Sequence, residues 1–117
     1  MQTQDTRTIA AEILERAFVR TLVARGVSDE HAGWVAAVLV QTSLRGVDTH
    51  GISLFPTYVR ELDGGRAAAA PVMTWRGEGK ALGVLDAGGA LGVVAGHVAA
   101  DGAVRIARQH GLGAVAG

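Results

Sequence analysis

The sequence predicts an α+β fold, close to α/β in its second half, on three observations. Apolar residues recur at helical spacing towards the N-terminus; two short β-prone runs flank a glycine-containing turn near the middle; a long helical stripe then leads into a further β-prone run. The expected order is N-terminal helices, a β-hairpin, a long helix and the start of a further sheet strand, which leaves the domain incomplete at Gly117. An alanine-rich connector, Arg66 to Pro71, marks the change in composition, so residues 1–65 form an N-terminal helical segment and residues 66–117 begin an α/β domain truncated at its C-terminus.

Each element has its own signal. Ile9, Ile13, Leu14, Ala17, Phe18, Thr21 and Leu22 make one face of a first helix, with Glu12, Glu15, Arg16 and Arg20 on the other and Gly26 as its stop. Ser28 is an N-cap for a second helix, and Asp29 and Glu30 place negative charge in its first turn. That helix runs to about Leu44 and is apolar nearly all round (Trp34, Val35, Ala36, Val38, Leu39, Val40), so it needs cover on more than one side, which a chain of 117 residues supplies with difficulty. Phe55, Tyr58, Val59 and Leu62 mark a short third helix ending at Gly64-Gly65, with Ser53 near its N-cap and Pro56 in its first turn. Val72 to Arg76 and Ala81 to Asp86 read as hairpin strands around Gly77-Glu78-Gly79-Lys80. The last helix carries the clearest stripe, Leu91, Val94, Ala95, Val98, Ala99, Gly102, Ala103, Ile106 and Ala107, with His97, Asp101, Arg105 and Arg108 opposite. Gly111 ends it, and LGAVA begins a buried strand.

Composition narrows the function classes. Eleven basic residues balance eleven acidic ones, so no field is available to hold nucleic acid or an anionic membrane surface. The absence of cysteine excludes disulfides, thiolate metal sites and cysteine nucleophiles, and agrees with a cytoplasmic location. The N-terminal MQTQDTRT lacks a leader pattern, and the longest apolar run, Ala32 to Val40, is far short of a bilayer span. With only 4% aromatic residues and 17 glycines, close backbone approach fills much of the interior.

The motifs carry unequal weight. Gly111-Leu-Gly113-Ala-Val-Ala116 fits a relaxed dinucleotide fingerprint, but it leaves a helix and enters a strand, the reverse of the required context. Gly88-Gly89-Ala90-Leu91-Gly92 opens a helix with amides able to face an anion, at the wrong spacing for that fingerprint. Gly79-Lys80 lacks the upstream glycine and the hydroxyl residue of a phosphate-binding loop. His31, His50, His97 and His110 form no i, i+3 or i, i+4 pair, so no metal site is expected. The distinctive stretch is LRGVDTHGISLFPTYVREL, residues 44–62, which places Asp48, Thr49, His50 and Gly51 between two helices. Read locally, these are turn and capping residues with glycines that permit positive φ; alternatively, an imidazole held at such a junction hydrogen-bonds a carboxylate or a cofactor.

That stretch, followed by LDAGGALGVVAGHVAADGAVRIARQHGLGAVAG, resembles the malate/L-lactate dehydrogenase family of NAD(P)-dependent oxidoreductases that lack a Rossmann fold, whose members include malate, lactate, ureidoglycolate and sulfolactate dehydrogenases. The resemblance covers nearly the whole chain and rests chiefly on the R-G-V-D-[ST]-H-G block. It implies hydride transfer between NAD or NADP and C2 of a small-molecule 2-hydroxy or 2-oxo acid, by a cytoplasmic protein that is a homodimer when complete. It also implies that residues 66–117 open the catalytic domain, that His50 lies at the cofactor and substrate site, and that Thr49 stands beside it where the family has serine or threonine. The family's proton-transferring histidine would follow in an S-x-H-x-G-like segment beyond Gly117. Leu54 stands where the family often has an arginine for the substrate carboxylate, which removes a charge-assisted contact. The expectation is therefore an N-terminal fragment of an enzyme, inactive alone; the alternative is a catalytically inactive relic or an interaction module that pairs through its second helix.

Overall fold

Ser28 caps as its position suggests: its Oγ accepts the His31 N–H at 3.2 Å and starts helix α2, Asp29–Leu44. The computed structural model describes residues 6–77 and 79–117; residues 1–5 of the N-terminal stretch read for a leader, and Glu78 of the hairpin turn, lie outside the described residues. Helix α1 is Ala11–Val23, and Gly26 turns the chain at φ +90° before α2. Phe18 and Leu22 of α1 are buried with Ala32, Val35, Ala36, Leu39 and Val40 of α2. Two expectations change here. The α1 face is narrower than its sequence stripe, because Ile9 precedes the helix and Ile9 and Ile13 are half exposed, with Ala17 also exposed. Helix α2 finds cover on two sides within the chain, since α1 lies along it and Leu91 and Val94 at the start of the last helix join the same core, while Val38 stays 43% exposed.

Helix α3, Phe55–Asp63, carries Pro56 in its first turn, where the missing N–H has no intrahelical role. Phe55 stacks on Phe18 with ring centroids 3.7 Å apart and planes 9° from parallel, which ties α3 to α1. At the far end Arg25 pairs with Asp63 at 2.8 Å, and Arg66 grips Glu61 with two hydrogen bonds of 2.9 and 2.7 Å. Hydrogen bonding to Glu61, and then its charge, hold the Arg66 guanidinium pKa above its ordinary value.

The sheet has three strands in the order β1, Thr74–Arg76; β2, Leu82–Asp86; and β3, Ala114–Ala116. β1 and β2 are the antiparallel hairpin, Trp75 opposite Leu85, while β3 runs parallel to β2 with Gly83 opposite Val115, after a crossover through α4, Gly92–His110. β1 is shorter than predicted: Val72 is 82% exposed and outside the ladder. β3 is not the buried strand expected, because among the described residues it pairs with β2 alone and Ala114 and Ala116 are exposed. The α4 stripe faces inward as its spacing requires, with Val94 and Gly102 buried and Val98 and Ile106 partly so. Gly102 is needed there: a Cβ would lie 2.2 Å from Cη2 of Trp75, so the indole rests directly on the helix backbone. α4 covers the face of β2 that bears Gly83 and Leu85, leaving Leu82 and Val84 on the other face 56% and 40% exposed. The core is thus mainly helical, and the radius of gyration, 16.6 Å, exceeds the roughly 13 Å of a compact chain this long.

Candidate functional site

Between α2 and α3 the chain makes two consecutive 3-10 turns, Asp48–His50 and Ile52–Leu54. Gly46 at φ +86° turns the chain out of α2. The turns are then closed by their own backbone: the His50 N–H donates to Val47 O at 3.1 Å, Gly51 to Asp48 O at 3.1 Å and Leu54 to Gly51 O at 3.0 Å. The Ser53 hydroxyl also donates to Asp48 O. Ser53 therefore ties the turn together instead of capping α3, whose N-cap is Leu54 without a side-chain bond.

The block is fastened to α2 at one point. Gly51 is buried with φ −105°, so it is not there for a left-handed backbone, as the sequence reading allowed. Its role is proximity: a Cβ would sit 2.2 Å from Ser43 Oγ, 2.8 Å from Ser43 N and 3.0 Å from Leu39 O. Ser43 Oγ in turn accepts the Ile52 N–H at 2.9 Å. Ser43 is the residue sequence reasoning missed, since nothing local links a serine in the last turn of a helix to an amide nine residues on.

Thr49 and His50 are brought together at the exposed crest of this turn, with Thr49 Oγ1 3.0 Å from His50 Nδ1. If the hydroxyl donates, Nδ1 accepts and Nε2 carries the proton outward as a donor; in the other tautomer Nδ1–H donates and Nε2 is an outward acceptor. Either way Thr49 engages the inner nitrogen and leaves Nε2 as the ring nitrogen without a partner on this turn. Asp48 is exposed on the same turn, while Leu54 is partly buried and packs against the core. An apolar groove of about 230 Å³ runs beside the turn and shares Ser43 and Ile52 with its fastening, but His50 does not line it.

The other sequence candidates lie elsewhere. His97, expected on the polar face of α4, stacks on Trp34 of α2 at 3.8 Å and 10°, and His31 tilts against the same indole at 5.1 Å. The His97 ring thus joins α4 to α2, while His31 contacts the indole within α2. Among the described residues no group of three or more His, Asp or Glu is placed to hold a metal ion, and none of their helices is long and apolar enough to cross a membrane. In the glycine turn before α4 two amides are taken, Gly88 N–H by Asp86 Oδ1 at 3.0 Å and Ala90 N–H by Ala87 O at 3.1 Å, while the N-cap, Leu91, gives the helix no side-chain cap.

Comparison with known proteins bears on the whole arrangement. The sequence profile of the malate/L-lactate dehydrogenase family matches residues 9–117. A 2,3-diketo-L-gulonate reductase from Escherichia coli O17:K52:H18 is 34% identical over 111 residues, 92% of this chain and 32% of that protein. The reductase of the same name from Citrobacter koseri is 35% identical over the same shares. Among solved structures, malate dehydrogenase from Pyrococcus horikoshii OT3 superposes with a TM-score of 0.89 at 31% identity, over 93% of this chain and 31% of that one. Sulfolactate dehydrogenase from Methanocaldococcus jannaschii gives 0.88 at 32% identity, over 92% and 31%. The chain spans about a third of the length of the curated relatives it matches.

Proposed function

The chain belongs to the malate/L-lactate dehydrogenase family, and from that premise we propose that it is the N-terminal part of an oxidoreductase that moves a hydride between NAD or NADP and C2 of a small 2-hydroxy or 2-oxo acid. The observation that carries the reading is the crest of the turn: an exposed imidazole held at Nδ1 by Thr49, on a backbone fastened to α2 through Gly51 and Ser43. The exposed groups there, an imidazole, a hydroxyl and the Asp48 carboxylate, suit the amide and hydroxyl parts of a nicotinamide nucleotide; they include no cation for its pyrophosphate. The bound cofactor supplies or takes up the hydride. His50 binds and orients, donating or accepting one hydrogen bond at Nε2, and Thr49 holds the ring through Nδ1.

With Leu54 packed on the core, the substrate carboxylate is held by another arginine, for which Arg45 and Arg60 are the nearest in sequence to the turn. In this reading residues 1–65 are the helical segment and residues 66–117 open the catalytic domain. The complete protein is a cytoplasmic homodimer acting on a small molecule, with neither nucleic acid nor membrane as partner; the absence of cysteine supports the compartment and the charge balance the excluded partners. The test is kinetic. In the full-length protein, assayed by NADH and NADPH oxidation with several 2-oxo acids, His50→Ala lowers kcat/KM at least about tenfold, about 1.4 kcal/mol of transition-state stabilisation. Unchanged kinetics reduce His50 to a turn residue.

A further inference from the structure

We propose that the groove between the β1–β2 hairpin and the C-terminal half of α4 binds a phosphate dianion, free or as a phosphate monoester. This goes beyond the hydride-transfer reading and shares no residue with the His50 turn. The groove holds about 410 Å³ and is lined by Trp75, Arg76, Lys80, Gly83, Arg105 and Gln109 among others. Three cations thus reach one groove from three elements: the end of β1, the hairpin turn and α4. None of the described lining residues is acidic; Glu78, in the same turn by sequence, lies outside the described residues, and counting it still leaves an excess of two positive charges.

The cations are available. Arg105 holds its guanidinium carbon 5.2 Å from the centroid of Trp75, whose ring is seated on Gly102, so the guanidinium is positioned without using its N–H donors. No described residue hydrogen-bonds or ion-pairs with Arg76 or Lys80, in contrast to Arg25 and Arg66, which are held by Asp63 and Glu61. Asp101, one turn before Arg105 on α4, lies 3.8 Å from His97. Three like charges around one concavity repel, and a doubly charged oxyanion that takes hydrogen bonds from two guanidinium forks and an ammonium relieves that repulsion where a monoanion does so only in part. The Gln109 amide and the rest of the groove leave room for a small organic group.

Isothermal titration of the 117-residue chain at low ionic strength tests this, with inorganic phosphate, ribose 5-phosphate and acetate as titrants. The expected result is saturable binding of phosphate with a Kd of about 1 mM or tighter, weakened by added sodium chloride, and no saturation by acetate. Arg76→Ala combined with Lys80→Ala, both at exposed positions, raises the Kd at least about tenfold while far-UV circular dichroism stays unchanged. Arg105→Lys, which keeps the charge but not the planar fork, weakens binding less than the double change. A tighter Kd for ribose 5-phosphate assigns the remaining groove to the organic part of a monoester; equal values assign the site to the phosphate group alone. Absence of saturation at tens of millimolar phosphate, acetate binding as well as phosphate, or an unaltered Kd in the double variant each overturns the proposal.

Discussion

Replacing Gly51 with alanine asks how firmly the candidate site is fastened. The added Cβ falls 2.2 Å from Ser43 Oγ, and rotating that hydroxyl away does not free the space, because Ser43 N at 2.8 Å and Leu39 O at 3.0 Å belong to the α2 backbone. Two costs follow. The turn must back off from α2, an overpacking cost of about 1–3 kcal/mol, and the Ile52 N–H loses the acceptor it has at 2.9 Å, worth about 1–3 kcal/mol if no water replaces it. Alanine also restricts the unfolded chain and returns about 0.4–1 kcal/mol. The net expectation is a loss of about 2–4 kcal/mol, a fall in Tm of roughly 10 °C for a chain of this size. Urea denaturation followed by circular dichroism measures it. Ser43→Ala should cost only about 1 kcal/mol, and the double variant less than the sum, since one of the three clashes has been removed. A Gly51→Ala midpoint within about 0.5 kcal/mol of the parent would show that the turn does not depend on this approach.

Three further outcomes follow from particular contacts. His97→Ala removes the stack on Trp34 and should lower stability by about 1 kcal/mol, read from the urea midpoint; an unmoved midpoint would make the stack energetically idle. In the complete enzyme, Leu54→Arg should lower KM for pyruvate-like acids while costing about 1–3 kcal/mol of stability, because Leu54 packs on the core; a KM that stays or rises means that the carboxylate is held from elsewhere. The 117-residue chain alone should associate through the bare sheet face and show no NAD(P)H oxidation above background, and Val84→Lys should restore a monomer by light scattering. A monodisperse parent chain, or turnover by it, contradicts this.

The helices were legible wherever their stabilising partners are local. The α4 stripe emerged intact because Leu91, Val94, Gly102 and Ile106 repeat at one period over about four turns, and Ser28 was readable because its cap bond spans three residues. Legibility failed where the partner is distant. Ile13 matches the α1 period yet stays half exposed, because no described element covers that edge of the helix. His97 looked like a polar-face residue because nothing near it in sequence announces Trp34. At the candidate site, the D-T-H-G block stood out as a pattern, and the proximity of Thr49 to His50 is a neighbour effect. The reason for Gly51 was misread, since a glycine used for approach and one used for positive φ are the same letter, and only Ser43 across the gap distinguishes them.

The stack of Phe18 on Phe55 has a consequence for how inactivating substitutions are interpreted. Phe55 opens the helix that follows the His50 turn, so trimming Phe18 on α1 shifts the frame on which His50 stands without touching the turn itself. A library sorted by turnover alone would place Phe18 beside His50 on its map of essential positions. Sorting the same library a second time by heat resistance separates them, since Phe18 variants should fail both sorts and His50 variants only the first.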